Sequence, residues 1–279
     1  MLSVRSDRPI QPAALAVIRA VDKVTKELGL TYFVAGAMAR DILLTHVFDL
    51  TLHRATRDVD FAVAVKDWDQ FEAIKARLVE DFQFVRDKAM THRLHGSGYP
   101  VDIIPFGGVE APDKTIAWPP ESASVINVAG YDDVLAAADT VQIEPGLVVG
   151  VASLPGLALL KLFAWADRGH ENSKDATDFA ILIRSYADAG NQDRLFGDAI
   201  NVMEAVDYRE DLAAARLLGL DVARIMTEHT RVHLTKLLED SKARERLTTH
   251  MAREWSGTDD ADSEAEVLLE QFAIGVEGT

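Results

Sequence analysis

Two carboxylates, Asp58 and Asp60, stand two residues apart in Asp58-Val59-Asp60, and the stretch 61–65 behind them is entirely apolar. On an extended chain, side chains at i and i+2 share a face, so both acids point the same way at close range. Held together at the mouth of a buried strand, two like charges are costly unless a metal ion or an arginine neutralises them. The plainer alternative is that one aspartate caps a helix while the other pairs with Arg54 or Arg57. Asp102 is a third acid in an apolar setting, between Val101 and Ile103-Ile104. Upstream, Gly36 separates a short β-branched and aromatic run from a helical pattern. The backbone N–H groups of residues 36–39 are then available to an anion, unless Gly36 only makes a tight turn. Three strand carboxylates beside a glycine turn suit metal-assisted phosphoryl or nucleotidyl transfer, with Mg²⁺ as the hard cation that prefers carboxylate and phosphate oxygens.

The elements that must position these groups follow from periodicity. Apolar residues recur at helical spacing over 11–28 and Gly29 stops the run. Residues 31–35 read as a strand, 38–48 as a helix, and 58–65 as a central strand. An amphipathic helix is predicted over 68–82 with Asp67 as its N-cap, then short strands at 84–86, 92–95 and 101–106. The proline-bearing stretch 109–124 reads as a loop or lid, and 140–151 as a hairpin turning at Pro145-Gly146. From Ser153 onward the spacing is helical: 157–167, 175–187, 192–206, 211–218 and a long helix over 229–255. The expected fold class is α/β (α+β), a mixed-sheet core over 1–152 followed by an all-helical domain over 153–255 and an acidic tail over 256–279. That tail is expected to be solvated, although Val267, Leu268, Leu269, Phe272 and Ile274 would give it an apolar face for docking.

Composition narrows the classes. With 279 residues, 48% hydrophobic and 27% charged, the chain can bury a sizeable core. There is no cysteine, which removes disulfides, thiol nucleophiles and thiolate metal sites. No apolar run is long enough for a membrane helix and the N-terminus lacks a signal-peptide core, so a cytoplasmic protein is expected. A net charge of −16 argues against a broad basic surface for gripping a duplex and leaves room for a local basic pocket.

The segments Val34-Ala35-Gly36-Ala37-Met38-Ala39-Arg40-Asp41, Arg54-Ala55-Thr56-Arg57-Asp58-Val59-Asp60-Phe61 and Val101-Asp102-Ile103 resemble the polymerase-β-type nucleotidyltransferase superfamily. Within it the chain is most similar to the AbiEii/AbiGii group of bacterial nucleotidyltransferase toxins. The narrower likeness rests on the R-x-T-x-D-h-D lead-in and on Leu159-Leu160-Lys161-Leu162-Phe163-Ala164-Trp165-Ala166-Asp167-Arg168 followed by Lys174-Asp175-Ala176-Thr177-Asp178. The resemblance implies that Asp58, Asp60 and Asp102 bind metal and do the chemistry. It also implies that Gly36 and Ala37 form a phosphate-binding turn, that Arg40 belongs to the same segment, and that Lys161, Lys174 and Asp175 serve the nucleotide. Two departures stand out: Ala37 replaces the usual Gly or Ser, and the interval from Gly36 to Asp58 is long, implying an insertion that loops out around 45–52.

By this resemblance the protein is an enzyme that uses Mg²⁺ to move a nucleotide from an NTP to an acceptor hydroxyl, an RNA or tRNA end in toxin-type relatives, with an antitoxin protein as partner. Two rival readings remain. One is a small-molecule nucleotidyltransferase with a cationic, aminoglycoside-like acceptor, which the acidic balance favours. The other is a degenerate nucleotide-sensing or partner-binding module. Lys161 also has the plain reading of a lysine that snorkels from an apolar helix, and Asp175 and Asp178 that of partners for a helix dipole. The histidines show no ligand spacing; His92 and His95 are expected on opposite faces of a strand, in structural or surface roles. Trp118, Trp165 and Trp255 read as core or lid residues.

Overall fold

In the computed structural model, residues 1–52, 58–119, 125–170, 172–255 and 260–278 are described. The chain divides into two compact units, Met1–Ser153 and Leu154–Thr279.

The first unit is built on a mixed sheet. Its strands are β1 (Leu2–Ser3), β2 (Tyr32–Ala35), β3 (Val59–Val65), β4 (Val85–Arg86), β5 (Arg93–Gly96), β6 (Tyr99–Gly107), β9 (Asp139–Glu144) and β10 (Leu147–Val151), and β7 (Thr115–Ala117) with β8 (Val125–Asn127) forms a separate ribbon. The order in the sheet is β1-β9-β10-β2-β3-β6-β5-β4. β3 lies inside it, antiparallel to β2 and parallel to β6, which explains its unbroken apolar run: Val59, Phe61, Ala62 and Val63 are fully buried. Helices α1 (Pro12–Glu27) and α3 (Trp68–Phe82) cover the sheet, and α4 (Tyr131–Ala136) precedes β9. Asp67 caps α3 by accepting from the Gln70 N–H at 2.9 Å.

Two expectations change here. The helix after β2 starts earlier, as α2 (Gly36–Asp41), and continues as a π-helical turn over Ile42–Val47. The long interval before Asp58 therefore begins as helix rather than as a loop, the wider π turn taking up extra residues. The turn is tied down as well, since His46 O accepts from Arg5 N–H at 2.9 Å and Arg8 pairs with Asp49 at 2.7 Å. The stretch read as a loop or lid contains β7, and its Ile116 and Trp118 are packed down, Trp118 against Trp68 and Phe71 of α3 at 5.6 Å ring separation, while residues 111–113 are exposed. Residues 120–124, like Arg54 and Arg57, lie outside the described residues.

The second unit is helical: α5 (Leu154–Arg168), α6 (Lys174–Ser185), α7 (Gln192–Leu195), α8 (Ile200–Glu204), α9 (Glu210–Ile225), α10 (Glu228–Glu239), α11 (Ser241–Ala252), a 3₁₀ turn (Arg253–Trp255) and α12 (Ala261–Glu277). The helix expected over 192–206 is two short ones separated around Gly197, and the long helix over 229–255 is cut at Asp240. Asp240 ends the pattern because its carboxylate accepts from the N–H groups of Lys242 and Ala243 at 2.9 and 3.0 Å, capping α11 instead of continuing α10. The acidic tail is corrected too: from Ala261 it is a helix whose Ala265, Leu268, Leu269, Phe272 and Val276 are buried, with its acids on the outer face. It packs on α9 with backbones in contact, for a Cβ at Gly219 would overlap Phe272 O and one at Gly275 would overlap Arg216 O.

Candidate active site

Strand register brings the acids together. Asp60 is paired with Asp102 across the parallel β3–β6 ladder, and Asp58 precedes Asp60 by one side-chain period, so all three carboxylates lie on one face. One oxygen from each falls within 4.8 Å of the others. Asp58 is half-exposed while Asp102 is buried, so the cluster opens outward at the Asp58 end.

The antiparallel β2–β3 ladder sets Ala35 opposite Asp60, which carries the start of α2 to the same place. Gly36 takes φ +63°, and a Cβ there would overlap the Asp60 carboxylate. Glycine is required on both counts, for the left-handed backbone and for the close approach of the acid. Ala35, the N-cap residue of α2, has no side chain able to cap it. Ala37 follows in the first turn, partly exposed. Arg40, at its end, is buried and engages Asp41 through Nε and Nη2 at 3.0 and 2.8 Å.

The sequence reading overlooked Arg93. It stands opposite Asp102 in the antiparallel β5–β6 ladder, its Nε and Nη2 donating to the two Asp102 oxygens at 2.6 and 2.7 Å, and Nη2 lies 4.0 Å from Asp58. Its hydrogen bonds with Asp102, and then the charges of Asp102, Asp58 and Asp60, raise the guanidinium's pKa against the effect of burial. The signal was present in Ser97-Gly98: counting back across a two-residue hairpin turn pairs Arg93 with Asp102. His92, expected in a structural or surface role, lies with Nε2 4.0 Å from Asp102 and its ring 5.2 Å from that of Trp118. Burial pushes the His92 imidazole below its ordinary range, overriding the pull of Asp102. His95 hydrogen-bonds Asp87 instead.

The three carboxylates offer hard oxygen donors throughout. The residues present therefore fit a divalent cation such as Mg²⁺. With one oxygen from each acid within 4.8 Å of the others, the three lie near the span of the ligands around one Mg²⁺.

Lys161, Lys174 and Asp175 belong to the second unit. Lys161 Nζ contacts Asp175 at 3.0 Å and Asp178 at 2.6 Å, and Arg168 Nε donates to Asp175 at 2.7 Å. Burial lowers the Lys161 pKa, but the attraction of Asp178 and Asp175 prevails and leaves it raised. Burial likewise opposes ionisation of Asp175, yet Lys161 and Arg168 hold it below the ordinary carboxylate range. Lys174 is exposed at the start of α6.

No curated protein sequence matches the chain. A family model described as nucleotidyl transferase AbiEii toxin, type IV toxin–antitoxin system, matches residues 26–265. Among solved structures, ANT(2'')-Ia in complex with adenylyl-2''-tobramycin is 13% identical, covers 62% of this chain and 88% of its own, and superposes with a TM-score of 0.36. The Thermotoga maritima CCA-adding enzyme complexed with tRNA is 11% identical, covers 97% of this chain and 84% of its own, with a TM-score of 0.27.

Proposed function

The chain belongs to the nucleotidyl transferase AbiEii toxin family and is a nucleotidyltransferase, and from that premise we propose a Mg²⁺-dependent transfer from an NTP to a hydroxyl of RNA. The observation that carries the metal reading is the convergence of Asp58, Asp60 and Asp102 within 4.8 Å, against a glycine that leaves room for Asp60. In this reading Asp58, Asp60 and Asp102 hold the divalent cation, which supplies charge neutralisation at the phosphoryl group being transferred.

The rest is work for the chain's own groups. The N–H groups at the start of α2 face the phosphates, Gly36 and Ala37 allowing close approach. Asp102 receives the acceptor's proton. Arg93, donating to both of its oxygens, orients that carboxylate. Arg40 packs beneath α2 and holds the turn in shape through Asp41. Lys161, Lys174 and Asp175 serve the nucleotide by family resemblance. An antitoxin partner and a cytoplasmic location follow from the family reading, and no described helix is long and apolar enough to cross a membrane.

The net charge of −16 favours a second reading of the acceptor, a small cationic alcohol. Thermal unfolding of the wild type and Asp60→Ala with each NTP, with and without Mg²⁺, tests the site. A Mg²⁺-dependent rise for one NTP that is absent in the variant supports it, and no rise with any NTP favours a degenerate, partner-binding module. The labelled NTP then separates the acceptors: transfer to RNA supports the first reading, and transfer only to an amino alcohol the second.

A further inference from the structure

We infer that the helical unit carries a phosphate-binding site, formed by Arg246, His250 and Arg253 with His170, and that its ligand is the backbone of a single-stranded nucleic acid. Residues 246, 250 and 253 are spaced i, i+4, i+7 and form one row along α11 and the turn that follows it. His170, just past the end of α5, meets this row, its Nε2 3.2 Å from Arg246 Nη1. The floor is Trp165, fully buried, with the Arg246 guanidinium 4.7 Å from its ring centre. Trp165 Nε1 donates to His250 Nδ1 at 3.0 Å, so the neutral His250 ring carries its own proton on Nε2, as a donor for something else.

The row has no counter-charge. Among the described residues no carboxylate lies within 4.0 Å of Arg246, Arg253, His170 or His250, and the buried Arg246 Nε has no hydrogen-bond partner. Burial, and then Arg253, Arg246 and His170, push the His250 imidazole below its ordinary range, as expected where like charges face one another. In a chain with 45 acidic and 29 basic residues, both arginines had acids to choose from. Glu245, on another face of α11, instead lines an acidic groove with Glu239, Asp262 and Glu266. Two arginines without an acidic partner among the described residues are unfavourable by themselves, and a phosphate would relieve them through guanidinium and imidazole donors. That the phosphate belongs to a nucleic-acid strand rests on the RNA-acceptor reading above, in which the NTP phosphates are held at α2 in the other unit; the anion site stands without it.

The test is binding of a labelled single-stranded oligoribonucleotide to the full chain, by anisotropy over a range of salt, for the wild type and Arg246→Gln/Arg253→Gln. Each lost phosphate contact lowers the slope of log Kobs against log salt by about 0.7, so the double variant should be shallower by about 1.4 and bind at least tenfold more weakly at low salt. Circular dichroism checks that it folds; if it does not, Arg253→Gln alone, exposed on the turn, should change the slope by about 0.7. Wild type that binds inorganic phosphate but no RNA, with phosphate binding lost in the variant, keeps the site and assigns it a free anion. Equal slopes in wild type and variant, or binding of neither probe, overturn it. Nucleotide transfer by Asp58→Asn is measured in parallel: activity that survives there refutes the catalytic reading while leaving the slope difference standing.

Discussion

Two buried-to-surface clusters use the same residue types and end in opposite states. Asp175 and Asp178 of the helical unit face Lys161 and Arg168, two acids against two bases, at 2.6 to 3.0 Å for the closest contacts. In the sheet unit, among the described residues, Arg93 satisfies Asp102 through both oxygens and approaches Asp58 only to 4.0 Å. Their exposed ends separate them: the first set is ringed by two bases, whereas the second leaves the half-exposed Asp58 with no base nearer than 4.0 Å among the described residues. A carboxylate cluster becomes a candidate for cation chemistry when its own chain declines to neutralise it, and this difference is open to experiment.

The largest effect is expected at the unbalanced cluster. Asp58→Asn removes one charge from a half-exposed side chain, so stability should hold or rise slightly, while nucleotide transfer should fall by about a thousandfold or more, on the order of 4 kcal/mol of transition-state stabilisation. Single-turnover rates alongside urea unfolding make the check. A variant with near wild-type rates would put the cation elsewhere.

The balanced cluster should respond in the reverse sense. Lys161→Met takes from the buried Asp175 and Asp178 the base that both contact, and a loss of about 3–5 kcal/mol in unfolding free energy is expected. Adding Asp178→Asn to that variant should recover a substantial part, because it removes the charge left behind. If Lys161→Met were as stable as the wild type, the pairing would contribute nothing and Lys161 would be better viewed as a nucleotide contact alone.

How far the sequence revealed all this depends on whether a signal was local. The β3 run, the Asp67 cap and the Pro145-Gly146 hairpin are written in contiguous residues, and they fold as read. The convergence of Asp58, Asp60 and Asp102 needed only strand periodicity plus one parallel pairing. Arg93 was harder, because its partner lies across a hairpin and register must be counted through Ser97-Gly98. The tail misled for another reason. Its acid count described the outer face of α12, while Leu268, Leu269, Phe272 and the Gly275 crossing described the inner one. In α10 and α11 helical periodicity ran straight through Asp240, and only the choice of its carboxylate to cap marked the break.

Arg93→Gln sharpens the contrast at intermediate size. Without the guanidinium, Asp102 is left buried beside two more acids. With Arg93 partly exposed, a loss of about 1–2 kcal/mol is expected in the absence of divalent ions. Mg²⁺ should then raise the unfolding midpoint more in the variant than in the wild type, since it would take over the neutralisation of Asp102 that Arg93 supplied. Equal Mg²⁺ shifts in both proteins would argue that Arg93 and the cation do not share the same carboxylates.

The smallest effect is in pH. Asp175 is held below its ordinary value of 3.8, so its contribution to stability is complete above that value and is lost as pH falls through the lowered one. Lys161 is raised above 10.5, so its contribution is complete below that value and is lost as pH rises through the raised one. Between these limits the balanced cluster should add a constant amount, giving no slope from about pH 5 to 9. Comparing the wild type with Lys161→Met/Asp178→Asn over that range isolates the contribution. Their difference should be flat in the middle and shrink at both ends. A slope near neutrality would mean that one of the two acids holds a proton there, and the cluster would then be no more balanced than the one it is set against.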